Sequence, residues 1–171
     1  ERTWKVNSKE SEPASSQFDQ LLTSLQNPEK SKNKVPSGSV NRESGLWSLI
    51  RQGMKSSGRS IETTRLESWA VPGVPDVLLC AESGRFSFLE LKVVRDGSRK
   101  LALSAHQCAW LSRHAGSPSF VVVRDRSLAI SVFDGAAAVD LRMDGFSAVA
   151  PLAVFEEPYD WEEFLKLTCP L

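Results

Sequence analysis

Gly73-Val74-Pro75-Asp76-Val77-Leu78-Leu79-Cys80-Ala81, the four residues Glu82-Ser83-Gly84-Arg85, and Phe86-Ser87-Phe88-Leu89-Glu90-Leu91-Lys92-Val93-Val94 decide how this chain folds. Val77 to Ala81 is an apolar run of strand length, Glu82 to Arg85 has the composition of a turn, and Phe86 to Val94 is a second run. An antiparallel hairpin of the two sets Asp76, near the start of one strand, beside Glu90 and Lys92, near the end of the other. Side chains alternate along a strand, so Lys92 shares a face with Glu90. Gly73 lets the backbone bend before Asp76, and Pro75 stiffens the approach. Two carboxylates from adjacent strands can hold a hard divalent ion such as Mg²⁺, which takes oxygen ligands and keeps several waters. A lysine on the same face can orient or deprotonate a water beside the ion.

Downstream, Arg95 to Lys100 is a basic loop, and Leu103-Ser104-Ala105-His106-Gln107 opens a helix that carries Trp110 and Leu111. Ser104 and Gln107 have the spacing of a capping box. That gives Gln107 a structural role. His106 is exposed at the helix start, with a phosphate contact or nothing at stake. Gly116 ends the helix. Phe120 to Arg124 is a strand, Leu128 to Phe133 pairs back across Asp125-Arg126-Ser127, and Asp134-Gly135 has hairpin-turn composition. Val139-Asp140-Leu141 and Val149 to Phe155 are weaker strand candidates. Tyr159 to Leu167 closes the chain as an acidic helix.

Upstream, Asn41 can cap a helix whose Leu46, Trp47, Ile50 and Met54 form a core stripe. Glu43 lies on that face one turn earlier, at the edge of the core, where an acid answers the helix dipole. Ser56-Ser57-Gly58 breaks the helix, and Ile61 to Val71 reads as the first strand. Residues 1–40 form a polar tail, with Phe18, Leu21, Leu22 and Leu25 at helical spacing before Pro28. That stretch is either a transient helix or one that docks on a surface.

The 171 residues support one domain, 41–171, beyond this tail. Net charge is zero, which excludes a global basic field, but its distribution is uneven. Residues 85–126 hold eight Lys/Arg against three Asp/Glu, and residues 134–163 hold eight acids and one base. Cys80, Cys108 and Cys169 form no CxxC pair and read as reduced, buried thiols. No apolar run approaches bilayer length, and no signal peptide is evident, so the expectation is a cytoplasmic protein with no membrane partner.

The order Gly-x-Pro-Asp, hairpin, Glu-x-Lys, a Leu-Ser-x-x-Gln helix start and a hydrophobic strand resembles the PD-(D/E)XK nuclease superfamily. The virus-type replication-repair nucleases and the archaeal Holliday junction resolvases are the nearest in pattern, over about residues 42–125, with 126–171 as a C-terminal elaboration. The resemblance implies an α/β fold with a restriction-endonuclease-like core: a mixed central sheet flanked by helices. It implies a Mg²⁺- or Mn²⁺-dependent endodeoxyribonuclease, a hydrolase of phosphodiester bonds in branched DNA, in a phage or mobile-element setting. Asp76, Glu90 and the Leu91 carbonyl would hold the metal, Glu43 would complete the site, Lys92 would position the attacking water, and Gln107 would stand near the metal or phosphate. Arg95, Arg99, Lys100 and Arg113 would contact phosphates. Trp69 and Trp110 read first as core, with base wedging as the alternative. Junction resolution needs two active sites, so a homodimer is expected. The rival readings are a sequence-specific restriction or homing enzyme, with Asp134 to Phe155 its only room for base-reading additions, and a nuclease fold that binds without cutting.

Overall fold

A computed structural model describes residues 42–66, 71–94 and 100–169, all within the unit Pro36–Leu171. The N-terminal stretch through Asn41, and with it the Phe18 to Leu25 helix, lies outside the described residues, as do Trp69, Arg95 and Arg99.

Helix α1 (Glu43–Ser56) is followed by β1 (Ile61–Arg65), β2 (Val77–Ala81) and β3 (Phe86–Val93). Next come α2 (Ala105–Arg113), β4 (Ser119–Arg124), β5 (Ile130–Asp134), a 3₁₀ turn (Gly135–Ala137), α3 (Ala138–Met143), β6 (Ala153–Phe155) and α4 (Trp161–Thr168). The six strands form one sheet in the order β1-β2-β3-β4-β5-β6. Neighbours are antiparallel except β3 and β4, which run parallel with α2 as their crossover. The fold is therefore α/β, a mixed central sheet flanked by helices.

Strand alternation divides the interior into two cores. Val77, Leu79, Leu89, Leu91, Val122, Ile130 and Val132 pack with Leu46, Trp47, Ile50 and Met54 of α1 and Phe164 and Leu165 of α4. Val121, Val123 and Phe133 pack with Cys108 and Leu111 of α2 and Ala138 and Leu141 of α3. Every residue of β4 is buried, the pattern of a central strand covered on both faces. Each such valine contributes about 1.5–3 kcal/mol on leaving water. The helices α1 and α4 meet closely: a Cβ on Gly53 would come 2.0 Å from the Trp161 ring.

The hairpin forms as its composition dictates, with Val77 opposite Leu89 and Cys80 opposite Phe86. Several other boundaries differ from expectation. The N-cap of α1 is Arg42, which makes no side-chain cap bond. The regular part of β1 stops at Arg65, although the Leu66 N–H still donates to the Asp76 carbonyl at 2.8 Å. Gly116 does not terminate α2. The cap is His114, whose N–H bonds Trp110 and Leu111 carbonyls, and Gly116 lies outside the left-handed region.

Asp134-Gly135 is not a hairpin turn. Asp134 caps the 3₁₀ turn by accepting the Ala136 N–H at 2.8 Å. Val139 to Leu141 is helix rather than strand, because three alanines favour helix and Ala138 and Leu141 recur at i, i+3 on the buried side. The strand expected over Val149 to Phe155 shortens to Ala153–Phe155, since Pro151 has no N–H for a ladder. Among the cysteines, Cys108 and Cys169 are buried and Cys80 is half-buried, all as free thiols. No helix among the described residues is long and apolar enough to cross a membrane.

Candidate active site

The site is assembled by two structural accidents of the sheet: the β2–β3 register and the parallel crossover through α2. Asp76 immediately precedes β2, and the Val77–Leu89 pairing brings it beside Glu90. Its Oδ2 accepts the Leu91 N–H at 2.8 Å, which pins the carboxylate to the neighbouring strand. The loop before it is equally constrained. Gly73 has φ +93, and a Cβ there would stand 2.3 Å from the His106 carbonyl oxygen and 2.9 Å from the Gln107 nitrogen. Only glycine allows both that backbone conformation and that approach. The bend expected from sequence is present, and the close contact with α2 is an addition that sequence did not show.

Glu90 and Lys92 point to the α2 side of the sheet, as alternation requires when Leu89 and Leu91 face the other core. Glu90 is fully buried. Its Oε1 accepts Lys92 Nζ at 2.5 Å and Gln107 Nε2 at 2.5 Å. Its Oε2 is buried with no hydrogen-bond partner among the described residues. Burial pushes the Glu90 carboxyl up to about 7 from 4.5; the Asp76 charge adds to the rise, Lys92 opposes it, and Glu43 adds a little.

Glu43 reaches the site from the first turn of α1, with Oε1 3.4 Å from Lys92 Nζ. Its side chain is 45% exposed, so this contact is the solvent-facing edge of the cluster. For Lys92, burial works to lower the pKa, but Glu90, Glu43 and Asp76 together outweigh it and hold the ammonium above its ordinary value. Gln107 completes the capping box with Ser104, as expected, and its side-chain amide also bonds Glu90.

Asp76, Glu90, Lys92, Glu43 and Gln107 are thus brought together. Of the residues expected to contact phosphate, Arg113 is exposed at the far end of α2, with Nε donating to the Ala109 carbonyl, and Lys100 is exposed. His106 is exposed on the first turn of α2. Trp110 is half-buried, edge-on to Phe88 at 5.0 Å and stacked on His114 at 3.9 Å, which is the packing role.

The donor set fits a divalent cation. Three carboxylates face one ammonium, and a buried carboxylate oxygen without a partner carries a desolvation cost that a cation would relieve. Among the described residues no group of three His, Cys, Asp or Glu side chains is close enough to form a ready-made cage.

No protein-family model matches the chain, and no curated protein does. Among solved structures it is similar to Hjc of Archaeoglobus fulgidus, a Holliday junction resolvase from an archaeal hyperthermophile. The match covers 53% of this chain and 74% of that one, at 20% identity and a TM-score of 0.36.

Proposed function

We propose that this chain is a metal-dependent endonuclease of the PD-(D/E)XK type that hydrolyses phosphodiester bonds in DNA. The observation that carries the reading is the clustering of Asp76, Glu90 and Lys92 at the β2–β3 hairpin, with one buried Glu90 oxygen, Oε2, left without a hydrogen-bond partner among the described residues. Asp76, Glu90, the Leu91 carbonyl and Glu43 would hold Mg²⁺ or Mn²⁺. When bound, such an ion polarises a phosphoryl oxygen and lowers the pKa of its water.

Lys92 is held as an ammonium by its carboxylate neighbours, so it orients the attacking water and answers the negative charge that develops on the phosphorane. In this geometry it is a donor rather than a base. Burial pushes the Glu90 carboxyl up to about 7, so a cation held there would compete with a proton, and its binding is expected to strengthen as pH rises.

The preference for branched DNA, the homodimer that two cuts require and the phage or mobile-element setting rest on the sequence resemblance, and a cytoplasmic site of action on the reduced-cysteine pattern. Phosphate contacts from Arg95, Arg99, Lys100 and Arg113 would place the duplex without reading its sequence. Against a base-reading enzyme, Asp134 to Phe155 is largely committed to the fold through the 3₁₀ turn, α3 and β6.

A labelled panel of four-way junction, flap, linear duplex and single strand, incubated with Mg²⁺ or Mn²⁺, tests the substrate class. The expected result is preferential cutting of the junction or flap irrespective of arm sequence. Cutting confined to one duplex sequence would move the assignment to a restriction-type enzyme. Binding without cutting on every substrate would leave a non-catalytic module.

A further inference from the structure

Both ends of the Gln107 amide are engaged, and this determines which way it faces. Oε1 accepts the Ser104 backbone N–H at 2.8 Å, and Nε2 donates to Glu90 Oε1 at 2.5 Å. The Gln107 backbone N–H in turn donates to Ser104 Oγ at 3.1 Å. A backbone N–H can only donate, and an ionised carboxylate can only accept, so turning the amide over would break both side-chain bonds at once. Glu90 Oε1 therefore receives two donors, Gln107 and Lys92, while Oε2 receives none among the described residues. The asymmetry of the Glu90 carboxylate is imposed from the helix cap.

We propose that Ser104 is a positioning residue for the metal site: it fixes the Gln107 amide, which with Lys92 occupies Glu90 Oε1 and leaves Oε2 for the cation. The inference rests on the metal-nuclease reading and extends it to a residue that sequence alone presents as a cap. A second contact points the same way. The first turn of α2 also carries the His106 carbonyl and Gln107 nitrogen against which Gly73 packs, so one helix start backs the Glu90 carboxylate and the Asp76 loop together. Groups that orient a metal ligand typically cost 10–100-fold in metal affinity when removed. A cap that served only the helix would lower the melting temperature and leave the affinity of the folded protein unchanged.

Three variants separate these cases. Ser104→Pro removes the N–H that Gln107 Oε1 accepts, at a residue whose φ of −72 already suits proline. Gln107→Met removes both polar ends at similar length. Asp160→Ala removes the cap of a different helix, where Asp160 Oδ1 accepts the Glu163 N–H at 2.9 Å. The readout is Mn²⁺ affinity of the metal-free, folded protein by titration calorimetry, beside its melting temperature.

All three variants are expected to melt lower. Ser104→Pro and Gln107→Met are expected to bind Mn²⁺ about tenfold or more weakly, and Asp160→Ala as wild type does. Wild-type affinity in folded Ser104→Pro would overturn the proposal. If that variant does not fold, folded Gln107→Met decides: a loss of Mn²⁺ affinity of about tenfold or more supports the relay, and wild-type affinity overturns it. Wild-type protein that takes up no Mn²⁺ would instead overturn the metal reading, a separate outcome in the same experiment.

Discussion

Glu90 concentrates the chemistry of this protein in one carboxyl group. It is completely buried, its two oxygens are unlike, and its pKa stands at about 7. A folded-state pKa above the unfolded value means that the folded chain binds the proton more tightly. The stabilisation is full below 4.5 and is lost as pH rises through about 7. In chelator, urea unfolding is expected to show wild-type stability falling between pH 5 and 8, with a Glu90 contribution on the order of 3 kcal/mol. Glu90→Gln removes that contribution, so its profile over the same range should be flatter. Parallel profiles would show that Glu90 ionises freely. The acid–acid–lysine set was readable from sequence because strand alternation puts Glu90 and Lys92 on one face and the short turn limits the register. The single-oxygen character of Glu90 was not readable, since it depends on Gln107 arriving from α2 in space.

At the scale of elements, the hairpin and the β3–α2–β4 crossover do the positioning, and the remaining helices hold them in place. The α1 helix carries Glu43 to Lys92 and is backed by α4 through Gly53, whose missing Cβ makes room for the Trp161 ring. Gly53→Ala should overpack this contact and destabilise the protein by about 1–3 kcal/mol, measured by urea unfolding. An unchanged midpoint would mean that α4 shifts at no cost. Elements with long apolar runs or capping signals were legible: α1, β2, β3, α2, β4 and α4 all lie within a few residues of expectation. The segment after β5 was not. Val139-Asp140-Leu141 alternates as a strand does, and its helical state follows from an alanine run and from burial of Ala138 and Leu141 that only the folded arrangement supplies. Gly116 misled for a similar reason: α2 ends at His114 through its own carbonyl bonds, without a left-handed glycine.

Over the whole described unit, one sheet separates two cores, and the acids gather on the α2 side where β2, β3 and the start of α2 meet. The mixed sheet flanked by helices was legible through the resemblance carried by the hairpin, the Leu-Ser-x-x-Gln helix start and the strand after it. What a substrate would touch was less so. Arg113 is exposed at the far end of α2, away from the acids, as expected if phosphate contacts spread along a duplex rather than crowd the reacting group.

The central claim is that Asp76, Glu90 and Lys92 form a metal-dependent cutting site. Nicking of supercoiled plasmid by wild type and by Asp76→Ala, each with Mn²⁺ and with chelator, tests it most directly. The account predicts nicking only by wild type with metal, and loss of at least about a hundredfold in rate for Asp76→Ala, about 2.7 kcal/mol of transition-state stabilisation. Equal nicking by the two proteins, or nicking undiminished by chelator, would contradict it.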